Sequence, residues 1–282
     1  MTGPMRRTWL QPVSPRSFER DVYDEGQLRA AISDAYKAGR PLVAKLAQNI
    51  VLSSQLVLPY GGPSITLAGL FSPGQLSLAS GVSVASLVDA QTPLVAFDRV
   101  AFKASTSLAV STAGVLELLM RDCLADTGVF VDTSGSVPVI VDLRGCIFDP
   151  TSAPSSSSST VATLTATRSL VVQGCSIGVS GISAKLRTIA IGSDYATITG
   201  CRFFSNVSLG GTYGTFSHNV VASDSTKGNI VSDATQGYSA IVGNVCDNLT
   251  TSGGVGGNIL AANIVTGAKT LHTTAPADHD DG

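Results

Sequence analysis

The sequence predicts an all-β solenoid, and three observations predict it. First, one pattern recurs between residues 94 and 265: apolar, variable, turn-former, Cys or Asn, variable, usually apolar. It stands as Phe97-Asp98-Arg99-Val100-Ala101-Phe102, Met120-Arg121-Asp122-Cys123-Leu124-Ala125, Leu143-Arg144-Gly145-Cys146-Ile147-Phe148 and Val172-Gln173-Gly174-Cys175-Ser176-Ile177. It continues as Ile198-Thr199-Gly200-Cys201-Arg202-Phe203, Phe216-Ser217-His218-Asn219-Val220-Val221, Ile241-Val242-Gly243-Asn244-Val245-Cys246 and Leu260-Ala261-Ala262-Asn263-Ile264-Val265. Second, the fourth position runs from Val100 to Asn263 in steps of 23, 23, 29, 26, 18, 25 and 19 residues, the spacing of stacked coils with variable loops. Third, in six of the eight copies the residue before that position is Gly145, Gly174, Gly200, Gly243, Asp122 or His218. These residue types enter the left-handed backbone region most easily.

Each copy therefore reads as a strand, a sharp bend at a left-handed residue, and a second strand. A chain that bends this way once per coil stacks each strand on its equivalent about 4.8 Å away, so equivalent side chains pile into columns. Asparagine amides hydrogen-bond along an inward column, and cysteine fits the same space as a small, readily buried hydrophobe. The expected structural ladder is Cys123, Cys146, Cys175, Cys201, Asn219, Asn244 and Asn263. Cys246, two residues after Asn244, falls on the next inward position of its strand.

On these residues the chain resembles the right-handed parallel β-helix of the pectin-lyase-like superfamily, with that family's asparagine ladder partly replaced by cysteines. The resemblance spans about residues 24 to 265 and implies a fold, including its handedness, far more than an activity.

The elements follow in order. Residues 1–22 carry three prolines before Arg16 and the chain's one Trp. They are expected as an extended docking arm with Arg6, Arg7, Trp9 and Leu10 as its contacts, a disordered tail being the alternative. Residues 23–60 hold a capping helix and the first strands. Leu28, Ala31, Ile32, Ala35 and Tyr36 form a helical stripe behind an Asp24/Gln27 capping box, closed by Gly39 and Pro41. Strands are expected over 41–47 and 49–58, then a turn at Tyr60-Gly61-Gly62-Pro63. The short helix would cover the open end of the first coil, which otherwise exposes core and strand edges. The β-helix proper is expected over 61–265. The Ser155–Ser159 run marks an exposed loop. Residues 266–282 are expected as a flexible acidic tail. Asn206 and Asn248 match the glycosylation sequon, a frequent chance match.

Composition narrows the function. Net charge is −2 and charged residues make up 13% of the chain, so nothing draws it electrostatically to nucleic acid. No apolar run reaches the roughly 20 residues of a membrane span. Residues 1–12 lack an apolar segment behind Arg6 and Arg7, so they do not read as a signal peptide, and assembly inside a cell is expected. Disulfides or a metal cluster are alternative uses of the cysteines, but the periodic placement explains them as packing and no CxxC pair exists. No metal and no cofactor is expected.

Glycoside hydrolysis needs two acids roughly 5 to 10 Å apart. Asp126 and Asp149 each stand three residues after a column cysteine. On neighbouring coils they would form a carboxylate pair, although both also suit turns. The polygalacturonase-like motifs of the superfamily are absent. Tyr195, Tyr213 and Tyr238 recur at steps of 18 and 25 and would line one face or simply stack. The resulting expectation is a structural virion protein of a bacteriophage: a tail or capsid-attached spike or decoration protein assembled in the host cytoplasm. The resemblance to phage spikes implies a homotrimer, with the arm contacting other virion proteins. The alternatives are a carbohydrate-active β-helix that binds or cleaves a host surface glycan, and a surface adhesin.

Overall fold

The computed structural model describes residues 17–58, 62–70, 74–79, 82, 84–86, 94–103, 108–111, 117–126, 129–132, 139–148, 160–178, 188–204, 206–221, 228–232, 237–251, 256–271, 273 and 277–281. Three all-parallel sheets wrap one core: the repeat predicts the two strands on either side of its bend, and a third sheet closes each coil. The first has twelve strands, from Phe18–Val22 to His279–Asp280. The second has ten, from Ile50–Leu52 to Ile264–Val265, and the third has ten, from Leu56–Leu58 to Lys269–Thr270. A coil visits them in that order. Glu117–Arg121 lies in the first, Leu124–Ala125 in the second and Val129–Asp132 in the third. Strands alternate buried and partly exposed side chains, for example in Glu117–Arg121 and Ile140–Arg144, because successive side chains point to opposite faces. The inward rows are apolar: Phe97, Met120, Leu143, Val172, Ile198, Phe216, Ile241 and Leu260 stack through the first sheet, all buried.

The bend between first and second sheets is left-handed in every copy of the pattern. Gly145, Gly174, Gly200 and Gly243 have φ of 62 to 65°, Asp122 and His218 have 50° and 55°, and Arg99 and Ala262 have 54° and 52°. Backbone pairing carries across the corner. The bend N–H of Asp122 donates to the carbonyl of Arg144, that of Gly145 to Gln173, and that of Gly243 to Ala261.

The capping helix spans Glu25–Ala38 and buries Leu28, Ala31, Ile32 and Ala35. The Asp24 carboxylate accepts from the Gln27 N–H, and Gln27 Oε1 reaches back to the N–H of Tyr23, one residue earlier than a capping box places it. Gly39 ends the helix at φ 59°. Glu25 fastens this helix to the coil beneath: it accepts from the backbone and hydroxyl of Ser53 and pairs with Arg29. Those hydrogen bonds pull its carboxyl down to about 2.

The strand expected over 49–58 is two strands, Ile50–Leu52 and Leu56–Leu58, in different sheets. The chain turns at Ser53-Ser54, where Glu25 and Arg29 hold it. At the other boundaries the solenoid reaches further than the repeat alone predicts. Phe18–Val22, expected within the arm, is the first strand and pairs with Leu42–Leu46, which pairs in turn with Ile65–Gly69 across the expected boundary at residue 60. Beyond residue 265, expected as tail, lie strands Lys269–Thr270 and His279–Asp280. Lys269 stacks on the inward Leu249 and Asp280 on the inward Leu260. They meet in an ion pair of 2.8 Å that closes the last coil. Periodicity misses this cap because charged residues stand where the pattern requires apolar ones.

Candidate functional site

The inward column at the first corner shows how one backbone geometry uses two side-chain chemistries. Asn219 donates through Nδ2 to the carbonyl of Ile198, Asn244 to Phe216 and Asn263 to Ile241, at 2.7 to 3.2 Å. Each acceptor lies three residues before the column residue of the preceding coil. The thiols point at the same acceptors: Cys123 to Phe97, Cys146 to Met120 and Cys201 to Val172, with Sγ–O distances of 3.4 to 3.7 Å. The amide oxygens serve the coil below. Asn219 Oδ1 accepts from the Cys201 N–H, Asn244 Oδ1 from Asn219, and Asn263 Oδ1 from Asn244.

All five cysteines are free and buried. The column thiols follow one another coil by coil, and each acts on its neighbour. The neighbouring Cys123 and burial push Cys146 up, and the neighbouring Cys146 and burial push Cys175 up to about 12. Cys201 is raised by Cys175 and by burial, and Cys246 rises to about 11 through burial and the adjacent Asp247. Thiols held protonated at neutral pH are poor nucleophiles and poor metal ligands. Among the described residues no group of three or more His, Cys, Asp or Glu is placed to hold a metal ion.

Two further ladders occupy the other corners of the C-terminal coils. Between second and third sheets, Asn206 accepts from the Asn229 N–H, Asn229 from Asn248 Nδ2, and Asn248 from the Ala268 N–H. The steps of 23 and 19 residues between these asparagines repeat the coil spacing, and that is the signal by which sequence reasoning could have found them. The amides of Asn206 and Asn248, read in the sequence as sequons, are thus engaged in the ladder. Between third and first sheets, Ser239 accepts from the Gly214 N–H, Asn258 from Ser239, and Asp278 from both the backbone and the amide of Asn258.

Tyr195, Tyr213 and Tyr238 stand at that same corner and stack on one another. Ring centroids lie 5.5 and 5.7 Å apart, with planes 16° and 17° from parallel. All three have left-handed backbone at φ 50 to 58°, which bulky side chains adopt rarely, and all three are exposed. Stacking covers the ring faces that lie between them. The ring edges face solvent.

Among the described residues of the middle coils, Asp98, Asp122, Asp126 and Asp142 sit in local ion pairs. Asp126 is paired with Lys103 of the preceding coil at 3.0 Å, and Asp149 lies outside the described residues. Asp142 holds Arg144 at 2.9 Å and Asp122 holds Arg121 at 3.2 Å. Arg6, Arg7, Trp9 and Leu10 also lie outside the described residues. No helix among the described residues is long and apolar enough to cross a membrane. The chain matches no protein-family model and no curated protein.

Proposed function

We propose that this chain is a rod-like structural component of a bacteriophage particle, a tail or capsid-attached spike or decoration protein. In this reading it acts as a homotrimer in the virion and docks on other virion proteins through residues 1–16, with Arg6, Arg7, Trp9 and Leu10 as contacts. The observation that carries the reading is the continuity of the solenoid. Twelve strands of one sheet stack without a break from Phe18 to Asp280, a rod about 50 Å long at about 4.8 Å per coil. The rod has a helix at one end and an ion pair at the other. Its corner asparagines Asn219, Asn244 and Asn263 are spent on coil-to-coil bonds, as suits a part that transmits force and position.

A second reading, a carbohydrate-active β-helix, draws support from the exposed tyrosine row, whose hydroxyl edges would meet a glycan lying along the rod. The test of the first is solution mass by light scattering on residues 1–282 and 17–282. Truncation at residue 17 spares the strand Phe18–Val22, which a cut at residue 22 would remove. The virion reading expects the same trimer from both forms, with only the longer one joining particles during assembly. Equal particle association by both forms overturns the arm. Depolymerisation of a surface polysaccharide, lost on Tyr213→Ala, would transfer the assignment to the second reading.

A further inference from the structure

We infer that the C-terminal end of the rod is a latch: the strands Lys269–Thr270 and His279–Asp280, which lie in different sheets, leave the solenoid together and return together while the coils before them stay folded. The latch belongs to the fold and does not depend on where the rod is used.

The two ends of the rod are closed by different means. At the start, the helix Glu25–Ala38 buries Leu28, Ala31, Ile32 and Ala35. At the other end the last rungs turn charges inward. The inward row of the first sheet finishes Phe216, Ile241, Leu260, Asp280. That of the third finishes Val207, Ile230, Leu249, Lys269. Leu249 and Leu260 are fully buried, whereas the side chains of Lys269 and Asp280 above them stay 25% and 24% exposed. The polar residues buried elsewhere among the described residues are all uncharged: Ser193, Asn219, Ser239, Asn244, Thr251 and Asn258.

Neither closing strand has much to hold it alone. Each is two residues long and pairs on one side only, being the last of its sheet. Local opening is easiest where buried apolar contacts are few and backbone bonds lie near solvent. The ion pair couples the two strands: Nζ of Lys269 lies 3.0 and 2.8 Å from the two carboxylate oxygens of Asp280. If one strand leaves alone, the other keeps a charge over the apolar core without its counter-charge, which is costlier than a hydrated charge. If both leave, both charges enter water. Asp278 adds a second tie across the same corner, accepting from the backbone and amide of Asn258 and from the Thr251 hydroxyl. The open state bares Leu249 and Leu260 and the edges of their strands. Because the pair is partly exposed, dissolved ions weaken it, so salt is the signal that the latch reads.

Amide hydrogen exchange on the whole chain tests this. The N–H groups of Leu249 and Thr251 donate to Ala268 and Thr270, and those of His279 and Asp281 donate to Asn258 and Leu260, so two amides report each closing strand. The expected result is one common protection for all four, falling together several-fold between about 0.05 and 1 M salt. Asp280→Leu leaves Lys269 without its carboxylate and should speed all four about tenfold. Lys269→Met/Asp280→Leu replaces the pair with apolar groups; it should return them to the wild-type rate or slower and remove the salt response. The bend N–H of Gly145, bonded to Gln173, should stay slow throughout and verifies that each variant is folded. Acceleration by Asp280→Leu confined to His279 and Asp281 would show two ends fraying independently and overturns the latch. So does a double variant that exchanges as fast as Asp280→Leu, or a wild-type chain indifferent to salt.

Discussion

The middle coils and the C-terminal coils build the same corner from different atoms. From Cys123 to Cys201 the column is sulfur, and from Asn219 to Asn263 it is amide. Both reach the carbonyl three residues before the preceding column position. The difference is in strength. A thiol is a weak donor and acceptor, whereas an amide offers strong groups of both kinds. The thiol half therefore relies on packing of a small apolar body, and the amide half on a chain of hydrogen bonds that must be complete. Asparagine at buried positions stabilises only while every partner is present, since an orphaned buried group costs about 1–3 kcal/mol.

The sharpest way to break this contrast is Asn244→Ala. It removes the donor to Phe216, the pairing with Asn263 and the acceptor for the Asn219 N–H, and we expect a loss on the order of 3 kcal/mol or more in denaturant unfolding. Cys146→Ala, with a small cavity and one weak bond lost, should cost only about 1–2 kcal/mol. Equal losses would show that thiol and amide carry the same load. Asn219→Cys, at the junction of the two halves, keeps a donor toward Ile198 and should be milder than Asn219→Ala by about 1 kcal/mol. A smaller effect is expected at the bend. Gly200→Ala meets no neighbour within 4 Å and retains φ of 65°, so it isolates the left-handed penalty, about 1 kcal/mol. Ala262→Gly should raise the melting temperature by relieving the same penalty.

Titration acts on the thiol coils and on the capping helix with opposite sign. Cys146, Cys175 and Cys201 of the column are raised above the ordinary value of 9.0, Cys175 to about 12. Their contribution is complete below pH 9 and is lost as pH rises through the folded values, so alkaline unfolding should begin in the thiol coils. Hydrogen exchange near Cys175, followed against pH, reads this directly. The capping helix responds at the other extreme. Glu25 is lowered from 4.5 to about 2, so its contribution is present above pH 4.5 and is lost as pH falls toward 2. Glu25→Gln should flatten that acid limb.

The repeat, the left-handed bend and the identity of the inward column were legible in the sequence. Each is a local constraint repeated many times: a glycine or its nearest substitute before a small polar or thiol residue, between alternating apolar positions. The helix was equally legible from Asp24, its apolar stripe and Gly39. What tertiary structure alone decided depends on meetings between residues far apart in the chain. Lys269 closes the last coil because folding sets it across the core from Asp280, and no pattern within either segment announces the pair. Asp126 faces Lys103 because one coil brings the two level. The tyrosine row was visible as a recurrence, but its stacking and its left-handed backbone arise only when three coils align. In two-residue strands such as Ile147–Phe148, the side each residue takes was legible, since the inward residue stands two after the column cysteine; that Ile147 and Ser176 then lie level on neighbouring coils was decided only by stacking.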